Sequence, residues 1–291
     1  MKKVGFIGLG NMGFFMSRNL SQANHLVNGY DVNEDAFTKL KKFNIIQKTS
    51  INEINDDNEI IITMLPNGIV VEKVWNSLLK NLKSNTLLVD CSTIDIETTK
   101  RLHNMAKSKN LLSLDAPVSG GTIGADNGSL TFMVGGSEEA YNKMLPLFEI
   151  MGNKSILCGE AGSGQATKMC NNLLLAITMS GLGEAIKLAN SQSLDMHKFY
   201  DVLSTSTGSC WALNNYSPIK GIGPSSPADN EFKPGFSSQL MLKDLSLALS
   251  AASHSNLDLE IGKKVLKNYK NLVDNKKGNL DFSNIVNYDN S

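Results

Sequence analysis

The chain has 291 residues, enough for about two domains of ordinary size. A hydrophobic fraction of 41% with 19% charged residues is that of a packed globular protein and excludes a disordered or fibrous one. Lys plus Arg and Asp plus Glu balance at 28 each, so no net field steers the chain toward nucleic acid or an anionic membrane, and neither is expected as a partner.

In chain order, short apolar runs at residues 4–7, 26–30, 59–65, 86–90, 111–118 and 130–134 alternate with longer amphipathic stretches, the rhythm of βαβ units. Ile60-Ile61-Ile62 and Leu87-Leu88-Val89 are apolar on consecutive residues, as strands covered on both faces of a parallel sheet should be. The rhythm changes after about residue 160. Residues 165–190 place apolar side chains at helical spacing, with Gly181 and Gly183 as the only strong breakers, and read as one long helix starting near residue 164. Helical stretches follow near 195–204 and 239–254, with a Gly/Pro-rich loop at 217–235. The expected fold class is α/β: a doubly wound sheet over residues 1–162, then an all-helical domain over 163–291 joined through the long interdomain helix.

Residues Gly8-Leu9-Gly10-Asn11-Met12-Gly13 match Gly-x-Gly-x-x-Gly between a strand pattern and a helix pattern at 14–23. In that context Gly8 permits the tight turn, Gly10 admits a pyrophosphate to the backbone, and Gly13 lets helix and strand pack closely. The N–H groups at the helix start then face the pyrophosphate. Roughly 20 residues on, Asp31 ends the second strand, where a carboxylate accepts from ribose hydroxyls and repels a 2′-phosphate. Residues 32–35 contain no cation, so the pattern points to a Rossmann-type domain that binds NAD in preference to NADP. The alternative for Asp31 is a cap on the next helix.

An alcohol dehydrogenase needs a group to take the hydroxyl proton as hydride leaves carbon. Lys168 and Asn172 lie four apart near the start of the long helix and share a face. A lysine beside the apolar stretch 169–177 loses hydration, which disfavours its charged form; the alternative is a first-turn surface lysine. Asn172 could orient Lys168 or hold the substrate hydroxyl.

Four segments together resemble the β-hydroxyacid dehydrogenase family: the turn at 8–13, Asp115-Ala116-Pro117-Val118-Ser119-Gly120-Gly121, residues 164–172, and Lys243-Asp244. The resemblance covers essentially the whole chain. It implies that Ser119, Gly120 and Gly121 bind the substrate carboxylate, that Lys168 is the catalytic lysine with Asn172 its partner, and that Lys243 closes over cofactor and substrate. It adds Leu65-Pro66 and Thr93 as cofactor contacts, and both lie at strand C-terminal ends, where ligands bind in open α/β sheets. For Ser92, beside Thr93, the alternative is an N-cap of a helix over 94–106. Residues 210–216 with 224–230 and 233–236 resemble members acting on a methyl-bearing substrate, with Trp211 and Phe236 supplying apolar surface; the alternative is two ordinary core aromatics. The implied activity is NAD-dependent oxidation of a small β-hydroxy acid. The rival from another class is a dinucleotide-binding interaction module that has lost catalysis.

Cys91, Cys158, Cys170 and Cys210 are scattered and read as reduced thiols in or near the core. The four histidines are equally dispersed, and no metal is expected. The apolar segment after Met1-Lys2-Lys3 is too short for a secretory signal, and no run approaches the roughly 20 apolar residues of a membrane span, so a cytoplasmic location is expected. Long helices with apolar faces suggest a homodimer or homotetramer.

Overall fold

The computed structural model describes residues 1–38, 40–54, 58–83 and 85–288 and divides the chain into two compact units, Met1–Lys168 and Met169–Ser291. The first unit runs β1 (Lys3–Ile7), α1 (Gly13–Gln22), β2 (Leu26–Tyr30), β3 (Ile45–Gln47), α2 (Ile51–Ile54), β4 (Ile60–Thr63), α3 (Gly68–Leu78), β5 (Leu87–Asp90), α4 (Ile96–Ser108) and β6 (Leu112–Asp115). These six strands pair in parallel in the order β3-β2-β1-β4-β5-β6.

The apolar triplets show why the sheet is doubly wound. Ile60 and Ile62 pack with Met16 and Leu20 of α1, whereas Ile61 packs with Val71, Trp75 and Leu78 of α3 and Leu102 of α4. A strand buried on both faces has no polar face to display, which is why its sequence runs apolar without alternation.

Beyond β6 the sheet becomes mixed. The chain continues through β7 (Val118–Ser119), α5 (Gly121–Asp126), β8 (Leu130–Gly136), α6 (Glu138–Met151) and β9 (Gly152–Gly159). β8 is antiparallel to β6 and β7 and parallel to β9. The apolar run at 111–118 is thus two strands, separated at Ala116-Pro117. The expected elements did not include β3 or β9: each lies at a sheet edge, half exposed, so neither carries a continuous apolar run.

The long helix is α7 (Ser163–Ser191), followed by α8 (Met196–Thr205), α9 (Trp211–Asn215), α10 (Ser238–His254) and α11 (Glu260–Leu272). Ala176, Met179 and Leu182 of α7 pack with Met241 and Leu245 of α10, Tyr269 and Leu272 of α11, and Phe282. The first compact unit ends inside α7, at Lys168, and the first turn of α7 is hydrogen-bonded to the end of β6 and to the loop after β5. By length and composition α7 could cross a membrane, a property that inspection of run lengths missed. Its core packing in the second unit makes it a helix of the fold. The cysteines also differ from expectation at one position: Cys91 is buried and Cys158 and Cys210 half-buried, but Cys170 is exposed.

Candidate active site

The parallel strands end level with one another: Ile7 lies beside Tyr30 and Thr63, Thr63 beside Asp90, and Asp90 beside Asp115. One sheet edge therefore presents the loops after β1, β4, β5 and β6. The strand order reverses around β1, the switch point where a crevice forms in such sheets.

The turn after β1 separates its three glycines by role. Gly8 has φ +94°, and an added Cβ would lie 2.2 Å from the Met64 carbonyl oxygen; at Gly13 it would lie 1.8 Å from the Gly8 carbonyl oxygen. These two are required by the chain's own packing. At Gly10 an added Cβ would meet nothing within 4 Å, so space stands open above the backbone there. Met12 sits at the N-cap of α1 and makes no side-chain cap, leaving the positive end of the helix available to an anion. Leu9 is buried, Asn11 exposed and Met12 half-buried. Asp31 does not cap the next helical turn, which is capped by Asn33. Its carboxylate accepts from the Leu9 N–H at 2.7 Å and the Asn33 N–H at 2.8 Å. The same carboxylate thus braces the glycine turn. An open cradle, an uncapped helix start and a carboxylate one strand away fit a dinucleotide without a 2′-phosphate.

The loops after β4 and β5 are joined by a buried network. Asp90 Oδ1 accepts from Thr63 Oγ1 at 2.7 Å and Ser92 Oγ at 2.6 Å, while Ser92 Oγ accepts from the Leu65 N–H at 2.8 Å. Trp75 Nε1 donates to Thr63 Oγ1. Burial, opposed by these hydrogen bonds, pushes the Asp90 carboxyl up to about 6, and its Oδ2 is buried without a hydrogen-bond partner. The N-cap of α4 is Asp95, so Ser92 instead orients Leu65-Pro66, of which Pro66 is exposed. Thr93 is half-buried in the same turn.

After β6, Ser119 is half-buried at the end of β7, and Gly120 and Gly121 both take positive φ as the chain enters α5. Asp115 is buried. It accepts from the Gly162 N–H at 2.8 Å and the Gln165 N–H at 2.9 Å, fastening the start of α7. His103 Nε2 lies 3.2 Å from Asp115 Oδ1, and its Nδ1 is hydrogen-bonded to Ser113 Oγ. Lys168, one turn into α7, is only 8% exposed, which overturns its alternative reading as a surface lysine.

In the second unit, Asn172 is buried and its Nδ2 donates to Asp244 Oδ2 at 2.6 Å; Lys243 Nζ lies 3.2 Å from Asp244 Oδ1. One buried carboxylate thus joins two residues expected at the site. Trp211 is 54% exposed and stacks on Tyr216, which stacks on Phe282, against which half-buried Phe236 packs edge-on. Trp211 is therefore no core aromatic. Asp281 organises this group, accepting from Tyr216 Oη and from the N–H groups of Gly235 and Phe236. Burial, and then the Asp281 carboxylate, raise the Tyr216 phenol far above its usual range, so it remains a donor.

The chain is similar to known proteins along nearly its whole length. Residues 3–159 match the NAD-binding domain of 6-phosphogluconate dehydrogenase, and residues 162–288 match the NAD-binding family of NADP-dependent 3-hydroxyisobutyrate dehydrogenase. The chain is 42% identical over 285 residues to the mitochondrial 3-hydroxyisobutyrate dehydrogenase of Drosophila melanogaster, covering 97% of this chain and 87% of that one. The chain belongs to the 3-hydroxyisobutyrate dehydrogenase family of β-hydroxyacid dehydrogenases. As a member of that family it is an oxidoreductase with an NAD-binding first unit. A solved structure of the Mycobacterium tuberculosis 3-hydroxyisobutyrate dehydrogenase with L-serine superposes with a TM-score of 0.94 at 39% identity, covering 99% of this chain and 98% of that one. The NAD-dependent L-serine dehydrogenase of Pseudomonas aeruginosa is 39% identical, covering 97% of this chain and 96% of that one.

The hydrogen bonds bring forward four residues with no role assigned from sequence: Asp90, Gln165, Asp244 and Asp281. Asp244 was within reach, being adjacent to Lys243. The others carry no local signal, because each acts through a partner 27 to 73 residues away.

Proposed function

We propose that the chain oxidises 3-hydroxyisobutyrate to methylmalonate semialdehyde with NAD, a step of valine catabolism, and that Lys168 is its general acid–base. The observation that carries this reading is the burial of Lys168 one turn into a helix fastened to the sheet edge of a dinucleotide-binding unit. NAD, when bound, would supply the hydride acceptor for the carbinol carbon. The glycine turn and α1 start would hold its pyrophosphate, Asp31 its ribose, and Leu65-Pro66 and Thr93 would flank it. Ser119, Gly120 and Gly121 hold the substrate carboxylate. The Lys168 amine takes the hydroxyl proton in oxidation and returns it in reduction, with Asn172 holding the hydroxyl in line and Lys243 closing over the ligands. Trp211 and Phe236 shelter the methyl group.

Lys168→Ala is expected to lower turnover by about 10²- to 10⁴-fold with NAD binding little changed; near-normal turnover would remove the assignment. A second reading, L-serine oxidation, is favoured by the 39% identity to an L-serine dehydrogenase. Reduction of tartronate or succinate semialdehyde on the same scaffold is the remaining alternative. Steady-state oxidation of 3-hydroxyisobutyrate, L-serine, D-glycerate and 4-hydroxybutyrate with NAD and with NADP separates these, and also tests the coenzyme preference assigned to Asp31. A cytoplasmic homo-oligomer completes the proposal.

A further inference from the structure

We propose that Gln165 is a positioning residue for hydride transfer, fixing the spacing between the turn that presents Thr93 and the helical turn that presents Lys168. This rests on the reading of Lys168 given above. Gln165 is fully buried. Its Oε1 accepts from the Ile94 N–H at 3.1 Å and its Nε2 donates to the Ser92 carbonyl oxygen at 2.8 Å, so a single amide grips the backbone on both sides of Thr93. A carboxamide suits this because it presents one acceptor and one donor face at a fixed angle.

The main chain of Gln165 is held as firmly as its side chain. Its N–H donates to Asp115 Oδ2, beside the Gly162 N–H on Oδ1, and Asp115 ends the strand next to the one that Asp90 ends. The helix reaches the sheet this closely because residue 164 is glycine, where an added Cβ would lie 2.3 Å from the Met133 carbonyl oxygen. Gln165 and Lys168 stand three residues apart, on one helical face. The first turn of α7 is therefore bonded both to the loop after β5 and to the end of β6, and the Lys168 amine inherits that position. A displacement of about 1 Å at a reacting group costs roughly a hundredfold in rate.

The test is a double-mutant cycle on the full-length enzyme: Gln165→Ala, Lys168→Ala and the double variant, assayed with NAD and 3-hydroxyisobutyrate. The readouts are kcat, KM, NAD affinity, Tm and the primary deuterium isotope effect at the carbinol carbon. Gln165→Ala is expected to lower kcat by about ten- to a hundredfold, to leave NAD affinity within about threefold, and to enlarge the isotope effect as hydride transfer becomes rate-limiting. Added to Lys168→Ala it is expected to cost little more, because spacing matters only while the amine is present. Gln165→Glu keeps the side-chain length and the acceptor for the Ile94 N–H. Its carboxylate cannot donate to the Ser92 carbonyl oxygen, so it should lose at least as much kcat as Gln165→Ala; Gln165→Met, which keeps the length and makes neither hydrogen bond, replaces the alanine variant in the cycle if that variant does not fold. Equal fold-losses with and without Lys168, or a lowered Tm at unchanged kcat, would overturn the proposal. Near-parental turnover of Lys168→Ala would instead overturn the lysine assignment, and this proposal with it.

Discussion

Gly10 and Gly13 stand in one turn and answer to different demands. Gly13 touches backbone, so Gly13→Ala must push the turn and α1 apart and should destabilise the fold by about 3 kcal/mol, toward the upper end of single-site effects. A Cβ added at Gly10 would meet nothing in the protein, so Gly10→Ala should leave stability within about 0.5 kcal/mol while weakening NAD binding about tenfold or more. Urea denaturation and coenzyme titration of the two variants check this; equal loss of stability in both would show that Gly10 also serves the fold. Asp90 yields a pH prediction. Its carboxyl is raised by burial, so the folded protein holds this proton more tightly than the unfolded chain. The stability it contributes is present below about pH 4 and is lost as pH rises through about 6. Asp90→Asn should flatten that fall, and the difference between variant and parent, measured by urea denaturation at pH 4.5 and 7, should amount to a few kcal/mol at most. A difference independent of pH would show that Asp90 is ionised throughout.

Among the elements, the loop at 217–235 shows how a Gly/Pro-rich segment is given one conformation. Ser226 and Asp229 form a capping box, Asp229 also accepts from the Gly221 N–H, and Asp281 grips Gly235 and Phe236 from the far end of the chain. Asp281→Ala would leave the Tyr216 hydroxyl and two loop N–H groups without their acceptor, with an expected cost of about 4 kcal/mol. Because Phe236 is among them, KM for 3-hydroxyisobutyrate should rise more than KM for NAD; an equal rise in both would detach this aromatic group from the substrate. The helices were legible in proportion to their contrast. The pattern at 165–190 lies within α7, and α8 and α10 fall where their periodicity indicates. α11 went unnamed although Val265, Tyr269 and Leu272 recur at helical spacing, because the helix also carries four lysines.

For the whole molecule, Leu174 and Leu188 are 63% and 64% exposed on α7, fourteen residues apart, and a Cβ added at Gly181, midway between them, would meet no other part of the described protein. Positions seven apart share one stripe of a helix, so the two exposed leucines lie along one stripe of α7. Light scattering is expected to report a mass that is a multiple of the 31.6 kDa chain, and Leu174→Glu together with Leu188→Glu should lower it. A parent protein of 31.6 kDa in solution would end the oligomer proposal.

The sequence by itself determined the α/β class, the glycine turn and the carboxylate after the second strand. These are matters of local spacing, where a period of two or 3.6 residues, or a glycine at a fixed offset, is the physical cause. It also placed Lys168 and Asn172 on one helical face. Only the tertiary structure decided that Lys168 is buried, that Asp31 braces the turn it serves, that Ser92 orients a loop and caps no helix, and that Asp115 and Gln165 join α7 to the sheet. Each of those depends on residues remote in the chain meeting at one sheet edge, and a buried polar group takes its role from the partner that satisfies it.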